Sequence, residues 1–483
     1  MRTHAERAGG APVDREATGA PRRPLLSGTL RDDALRLAGE LTRSLPPAGR
    51  ESRENHKNPS LASGSAGLAV CAGQLARTST ERPDQPHQLD QPAAETALAH
   101  LENAIDVLGT EPLTSSLYSG FTGIAWAVEL VGRQLGTEGE DRNGDIDDAL
   151  ASLLPRYPRD APYDLINGLT GMGVYALARW PRPGATPCLL GVIDSLARRA
   201  QEDRDGVYWW TPSSWRGPRG EQYRPAGVDL GVAHGLAGVI PFLARVHRLG
   251  LARPVVRPLL DGSVAWLLAH LVDTESGPTV PYYIAEDAED AEGVEGVEPG
   301  PARSAWCYGD PGVALALMLA ARDVGELAWA TAATDLALRA AARPAGHTGV
   351  TDAGLCHGSA GLAHLFNRLY QLTAEQALAD AARFWVERTL ELCSAPGESA
   401  PGAETPSTKG LAQKSPLTAA PGAAAPARVP LPTTARPAGN GPGLLEGAAG
   451  IALALTAAAT TADPVWDQML LVSSIEHPGG NER

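Results

Sequence analysis

The sequence contains no uninterrupted run of 18 or more apolar residues, which excludes an ordinary transmembrane helix. Its N-terminus, MRTHAERAGGAPVDREATGAPRRP, lacks the apolar core of a secretory signal. Basic residues are outnumbered 41 to 56, and the formal net charge of −15 argues against a nucleic-acid-binding surface. Cysteine is scarce, with five widely spaced residues, which favours a reduced, cytoplasmic protein over a disulfide scaffold.

Glycine and proline, by contrast, are abundant, with 53 Gly and 40 Pro in 483 residues. Part of this surplus lies in segments that cannot bury enough apolar surface to fold. We therefore predict a disordered N-terminal tail at 1–28, an acidic insert at 285–300, a flexible Pro/Ala-rich insert at 394–440 and a C-terminal tail at 476–483. The remainder, within 29–475, is predicted to form a single domain.

The rest of the glycine is periodic. A Gly-x-x-Gly step followed by an apolar helical run occurs seven times, and the steps define repeats 1 to 7. The first glycines of the steps are Gly64, Gly120, Gly168, Gly235, Gly309, Gly358 and Gly447. The shorter intervals, near 48 residues, leave room for two helices and their turns.

Each repeat is predicted to supply one inner and one outer helix. Several runs after the steps are apolar almost all round, as in buried helices, whereas amphipathic stretches such as VIDSLARRAQED and TDLALRAAARP lie between them. Glycines at i and i+3 share one helix face and could let inner helices converge closely. We therefore predict an all-α fold, an α/α toroid of seven inner and seven outer helices. A linear helical solenoid is the alternative, which explains the shared glycines less well.

Superposing the repeats on their first glycine places chemically active residues in one register. One residue before that glycine stand Ser63, Ser119, Asn167, His234, Tyr308, His357 and Glu446. Two residues before it stand Ala62, Tyr118, Ile166, Ala233, Cys307, Cys356 and Leu445. Equivalent positions should face the same end of the toroid, so this register predicts a site where the inner helices begin.

Cys307, Cys356 and His357 form a Cys₂His set in that register. This set suits zinc, and three protein ligands would leave the fourth position open, as in catalytic sites. Widely spaced cysteines are more often buried, inert thiols; the shared register is what favours a metal site. Cys71, Cys188 and Cys393 fall outside it and are expected to be ordinary cysteines.

His234 stands in the same register, one repeat before Cys307. A hydrogen-bonded structural histidine is the plainer interpretation, but beside a metal ion its near-neutral reference pKa would suit a general acid or base. Asp164 could orient His234, and Arg303 could stabilise developing negative charge. Alone, either residue would more often be a helix cap or a surface ion pair. His270, His347 and His364 have no such placement and are expected to be structural.

At this point the sequence resembles the lanthionine synthetase C-like family. The similarity extends over about residues 30–475 and is carried by SLYSGFTGIA, YDLINGLTGMG, VAHGLAG, RSAWCYGDPG, LCHGSAGLA, GLLEGAAGIALAL and PVWDQMLL. The pair WCYG and CHG, one repeat apart, is the most specific part. The resemblance implies an α/α toroid of seven inner and seven outer helices.

The resemblance also implies a zinc-dependent cyclase of lanthipeptide biosynthesis. Such an enzyme adds a peptide Cys thiol to dehydroalanine or dehydrobutyrine and forms lanthionine or methyllanthionine rings. The family's motifs place zinc ligands at Cys307, Cys356 and His357, and further active-site residues at His234, Asp164, Arg303 and Tyr308. His234 would protonate the enolate, Asp164 would hold that imidazole or receive the thiol proton, and Arg303 and Tyr308 would support the enolate or position the site.

Two other functions remain open. One is the family's branch that adds glutathione to dehydroamino acids; the other is a non-catalytic scaffold that binds the precursor peptide. A zinc-dependent prenyltransferase-like toroid is disfavoured, because the CHG and WCYG strings do not resemble that family. For a stand-alone cyclase we expect a dehydrated precursor peptide as substrate, a separate dehydratase and a peptide exporter. The expected location is the cytoplasm, with membrane association only through a biosynthetic complex.

Overall fold

The structure, a computed structural model, describes residues 22, 24–47, 58–78, 89–137, 139, 141–212, 226–285, 301–394 and 441–473. Nearly all of the predicted acidic insert and Pro/Ala-rich insert, the whole predicted C-terminal tail and most of the predicted N-terminal tail lie outside these ranges. At the end of the predicted N-terminal tail, Leu25 and Leu26 are buried, and the first helix begins at Gly28. Ordered packing therefore starts a few residues before the predicted boundary.

Fourteen α-helices alternate between an inner and an outer layer in the described chain. The inner helices are α2 (Ser65–Thr78), α4 (Phe121–Leu135), α6 (Leu169–Arg179), α8 (Leu236–Arg248), α10 (Asp310–Val324), α12 (Ser359–Thr373) and α14 (Ala448–Ala459). The outer helices are α1 (Gly28–Arg43), α3 (Gln91–Leu108), α5 (Gly144–Leu153), α7 (Ala185–Ala197), α9 (Arg253–Ala269), α11 (Leu327–Ala342) and α13 (Gln376–Ser394). Each inner helix begins at the residue after the first glycine of a step, so the second glycine lies in its first turn.

The inner and outer helices differ in how many of their residues are buried, as the apolar and amphipathic sequence patterns predict. Every residue of α14 is buried, which matches its run of alanine and leucine. In α1, by contrast, the buried residues are Ala34, Leu37, Ala38 and Leu41, one stripe at helical spacing. Inner helices are therefore enclosed on all sides, while outer helices cover them with one face.

The inner helices form a closed ring. Each packs on the next, and α14 packs on α2, which joins the last repeat to the first. On the outside, α1 covers α14, and the Nε of Arg31 donates to the carbonyl of Ala459 at 2.9 Å. The predicted all-α toroid of seven inner and seven outer helices is confirmed, and closure excludes the solenoid alternative.

Short strands add a detail that the sequence analysis missed. β1 (Gln201–Asp203) pairs with β2 (Gly206–Tyr208), β3 (Gly227–Asp229) with β6 (Tyr283–Ala285), and β4 (Val272–Thr274) with β5 (Gly277–Thr279), all antiparallel. The helical interpretation of VIDSLARRAQED is wrong at its end, because α7 stops at Ala197. The Asp203 side chain accepts the N–H groups of Asp205 and Gly206 and turns the chain into a hairpin.

The step glycines are needed for a different reason from the one predicted. A Cβ built on Gly120 would lie 2.1 Å from the carbonyl oxygen of Thr114, and one on Gly123 would lie 1.8 Å from that of Leu117. Close approach of the loop to the start of its own helix therefore excludes side chains. The second glycine also faces the loop of the preceding repeat, since its Cβ would lie 3.2 Å from the Cβ of Leu61, which precedes α2; the predicted convergence of helices is not the cause at Gly123.

No helix in the described ranges combines the length and the apolar character needed to cross a membrane.

We expect Gly123→Ala to lower the free energy of unfolding by about 1–3 kcal/mol, because the new methyl group would overlap a fixed backbone carbonyl. The matched control is Gly39→Ala in α1, where a Cβ meets nothing within 4 Å. That control should gain about 0.5–1 kcal/mol from helix propensity. Urea unfolding of both variants measures the two changes, and equal stabilities would contradict this explanation of the steps.

Candidate functional site

The loops that precede the inner helices form a ring, here called the loop ring, and backbone hydrogen bonds join six of its seven neighbouring pairs, with Tyr118 and Ile166 as the unbonded pair of the described chain. The bonded residues stand two positions before each first glycine. The N–H group of one donates to the carbonyl oxygen of its counterpart in the next repeat. The bonds run Ala62 to Tyr118 (3.0 Å), Ile166 to Ala233 (3.3 Å), Ala233 to Cys307 (3.3 Å), Cys307 to Cys356 (3.4 Å), Cys356 to Leu445 (2.8 Å) and Leu445 to Ala62 (3.0 Å). The backbone thus holds Cys307 and Cys356 side by side.

The three predicted metal ligands come together at this ring. One potential ligand atom each from Cys307, Cys356 and His357 lies within 4.8 Å of the other two. Cys307 is buried, whereas Cys356 and His357 are half-buried, so the cluster is reachable from one side. Two sulfurs and an imidazole at this separation could hold a divalent metal ion.

Electrostatics favour one thiolate in this cluster. A hydrogen bond from the Cys356 thiol lowers the pKa of Cys307 to about 5, and His357 and Arg303 act in the same direction. The same bond raises the pKa of Cys356, because its thiol is the donor to the Cys307 sulfur. The pKa of His357 is raised by its hydrogen bond to Cys307. The pair therefore shares one proton, with the negative charge centred on Cys307.

Asp352 lies behind His357 and was missed in the sequence. Its Oδ2 is 3.7 Å from Nε2 of His357, and its Oδ1 accepts the N–H of Gly354 at 2.7 Å. A carboxylate at this distance can influence the orientation of the imidazole, as partners of metal-binding histidines do.

His234 and Asp164 form the predicted pair. Nδ1 of His234 is 2.9 Å from Oδ2 of Asp164, whose Oδ1 accepts the N–H of Asn167 at 2.6 Å. Burial lowers the pKa of His234, but the hydrogen bond and charge of Asp164 outweigh it and raise the pKa overall. The imidazole is 32% exposed, and its Nε2 has no partner within the described ranges. His234 is thus a protonatable group held at one nitrogen and open at the other.

Tyr308 is held by a residue that sequence reasoning missed. Its hydroxyl donates to Oδ2 of buried Asp229 at 2.8 Å, and Oδ1 of Asp229 accepts the N–H of Gly231 at 2.9 Å. The Tyr308 ring lies nearly parallel to that of His234, with centroids 6.4 Å apart. Tyr308 therefore forms a wall beside His234, with its hydroxyl proton directed to Asp229.

Arg303 is held by Tyr282, a third residue without a sequence prediction. The Tyr282 hydroxyl accepts the backbone N–H of Arg303 at 3.1 Å and its Nε–H at 3.2 Å. The positive charge of Arg303 lowers the pKa values of Cys307 and Cys356, which places it in the electrostatic field of the cluster.

A register extended to six residues before each first glycine would have identified Asp229 and Asp352. Asp229, Arg303 and Asp352 each stand six residues before the first glycine of three successive repeats. Tyr282 belongs to the interval between repeats 4 and 5 and has no periodic signal. Only the pairing of the segments around it brings Tyr282 to the site.

The remaining cysteines and histidines lie elsewhere. Cys71, Cys188 and Cys393 are buried free thiols, and burial raises the pKa of Cys71 to about 12. His364 is buried against Asp467, with Nε2 and Oδ2 2.7 Å apart, and Nδ1 of His270 lies 2.8 Å from the Trp266 carbonyl. Exposed His347 lies in a short 3₁₀ helix. None of these residues is part of the cluster.

Known proteins are similar to this chain in sequence and in fold. A family model described as "Lanthionine synthetase C-like protein" matches residues 55–394. The chain is 24% identical over 288 residues to "Nisin biosynthesis protein NisC" of Lactococcus lactis subsp. lactis; the match covers 56% of this chain and 66% of that protein, just under two thirds. The solved structure of "Nisin cyclase" is similar with a TM-score of 0.65 and 19% identity over 92% of this chain and 98% of that chain, which supports the fold.

We expect Asp164→Asn to lower the pKa of His234. The carboxylate raises this pKa against the effect of burial, so the neutral amide should leave burial dominant. The measurement is a pH titration of the His234 ring protons by NMR, assigned by comparison with His234→Ala. Asp145→Asn, at an exposed position of α5, is the control and should leave the titration unchanged. An unaltered His234 pKa in Asp164→Asn would show that the pair does not interact as described.

Proposed function

Because this chain belongs to the lanthionine synthetase C-like family, we propose that it is a zinc-dependent cyclase acting on a dehydrated precursor peptide. The reaction adds a Cys thiol of the peptide to a dehydroalanine or dehydrobutyrine of the same peptide. The product is a lanthionine or methyllanthionine thioether ring. The observation that carries the proposal is the Cys307, Cys356 and His357 cluster one repeat away from the His234–Asp164 pair.

The donor set fits zinc. Two cysteine sulfurs and one imidazole nitrogen are ligands that zinc prefers, and the low pKa of Cys307 already supplies one thiolate. We assign zinc binding to Cys307, Cys356 and His357, with Asp352 behind the imidazole. Zinc, when bound, would favour the thiolate form of a substrate thiol, whose ordinary pKa near 8.5 leaves it mostly protonated at neutral pH.

His234 is assigned the proton transfer to carbon. As the sulfur bonds to the β-carbon, the electron pair of the carbon–carbon double bond moves toward the α-carbon and the neighbouring carbonyl. A proton must then be added at the α-carbon, and the proton lost by the thiol balances it. With Nδ1 bound to Asp164, His234 can donate this proton from Nε2.

Arg303 is assigned to the enolate oxygen and Tyr308 to positioning. A guanidinium can stabilise the negative charge that develops on the carbonyl oxygen of the dehydro residue. The hydroxyl proton of Tyr308 is directed to Asp229, so this side chain supports the wall beside His234 and leaves the enolate to Arg303.

The substrate chemistry sets what precedes this step. Dehydro residues arise by loss of water from Ser and Thr, so a separate dehydratase must act first, and a peptide exporter is expected to act later. We place the enzyme in the cytoplasm, where thiols stay reduced.

Offering glutathione together with a dehydrated peptide tests the branch that uses an external thiol. Adducts in place of rings would favour that branch.

We expect Cys356→Ala to lose both zinc and ring formation, because one of three protein ligands is removed. Zinc content is measured by metal analysis, and ring formation by the loss of alkylatable thiols in the peptide, since cyclisation leaves the mass unchanged. Cys71→Ala, at a buried thiol of α2, is the control and should keep zinc. A Cys356→Ala enzyme that lost zinc but closed rings at the normal rate would overturn the proposed mechanism.

We expect His234→Ala to keep zinc and lose ring closure. General acid catalysis contributes about 10²–10⁴-fold in rate, and kcat should fall by that factor. The same thiol-alkylation assay measures the rate, and metal analysis serves as the control for an intact cluster. Unchanged activity of His234→Ala would remove His234 from the catalytic set. The scaffold alternative is tested on the wild-type protein: peptide binding without ring formation, even with zinc present, would favour a non-catalytic scaffold.

A further inference from the structure

We propose that Tyr282 is a positioning residue of this enzyme, which fixes the guanidinium of Arg303 so that its terminal nitrogens face the reacting peptide. The inference rests on the proposed cyclase function and extends it to a residue outside the repeat register. Tyr282 lies between β5 and β6, in the interval that separates α9 from α10.

The contact uses one oxygen to hold two groups of the same residue. The Tyr282 hydroxyl accepts the backbone N–H and the Nε–H of Arg303, at 3.1 and 3.2 Å. Because the guanidinium is planar, a bond at Nε restricts rotation of the whole group. Tyr282 thereby holds Arg303 both at its backbone and at its guanidinium.

The backbone on both sides of this contact is also fixed. The carbonyl of Tyr282 accepts the N–H of Leu230 at 3.1 Å, and the N–H of Ala302 donates to the carbonyl of Val280 at 3.0 Å. The carbonyl of Arg303 faces Gly309, where a Cβ would lie only 1.8 Å away. Main-chain contacts therefore hold Tyr282 against the loop of repeat 4 and Arg303 against the first glycine of its own step.

The remaining nitrogens of Arg303 are available for the substrate. In the described part of the chain, the Arg303 side chain is bonded to Tyr282 alone, through Nε. Its charge nevertheless acts on Cys307, Cys356 and His357. Two N–H-bearing nitrogens on a group whose charge acts on the cluster match the needs of a carbonyl oxygen that becomes negative during the addition. Tyr282 itself contacts no reacting atom and acts through Arg303.

The test is Tyr282→Phe, which removes the hydroxyl and keeps the ring that packs 5.3 Å from Tyr308. We expect kcat for ring formation to fall about 10- to 100-fold, the usual effect of losing a hydrogen bond to a charged group. KM for the dehydrated peptide and the zinc content should stay near wild type. The matched control is Tyr283→Phe, because the neighbouring hydroxyl makes no side-chain hydrogen bond within the described ranges.

A double-mutant cycle separates positioning from a structural effect. Arg303→Lys keeps the positive charge but lacks the Nε–H that Tyr282 accepts. In that background, Tyr282→Phe should lower kcat by less than about twofold. An equal loss in both backgrounds, or a Tyr282→Phe enzyme as fast as wild type, would overturn the inference. No ring formation by the wild-type protein itself would instead count against the proposed function.

Discussion

The site depends on one constraint, the six backbone hydrogen bonds that join neighbouring loops of the loop ring before the inner helices. A residue such as Cys307 receives a bond from Ala233 at its carbonyl and gives one to Cys356 from its N–H. The bonds therefore fix the main chains of the bonded residues relative to one another. Because Cys307 and Cys356 are consecutive members, their sulfurs are brought together by the backbone before any metal is considered. The glycine steps serve this ring, since they let each loop approach its own helix.

The same arrangement sets the charge balance of the site. All seven inner helices begin at this end of the toroid, and helix N-termini favour negative charge. The thiolate of Cys307 is stabilised first by the hydrogen bond from Cys356 and further by His357 and Arg303. At His234, the Asp164 carboxylate raises the pKa of the imidazole and so favours its positive charge. One end of the fold can thus hold a thiolate next to a protonatable imidazole.

Periodicity in the sequence was enough to predict the fold and the cluster. Seven Gly-x-x-Gly steps predicted seven inner helices, and the register brought Cys307, Cys356 and His357 to one end, where the structure places them. It could not predict the reason for the glycines, because contact with a loop carbonyl leaves the same i, i+3 pattern as helix convergence. Nor could it predict Tyr282, whose position depends on strand pairing between two non-repeating segments.

All seven repeats close the toroid, whereas the residues of the candidate site come from the loops of repeats 3 to 6. The bonds from Ile166 to Ala233, from Ala233 to Cys307 and from Cys307 to Cys356 connect the repeats that carry Asp164, His234 and the cluster. Repeat 7 continues this chain from Cys356 to Leu445, and repeat 1 returns it from Leu445 to Ala62. Between Tyr118 and Ile166, both in the described part of the chain, no bond of this kind forms, and repeats 2 and 3 are joined there by the packing of α4 against α6. The position of His234 relative to the cluster is therefore set in part by main-chain bonds between neighbouring loops, and the rest of the toroid holds those loops in place by the packing of its inner helices.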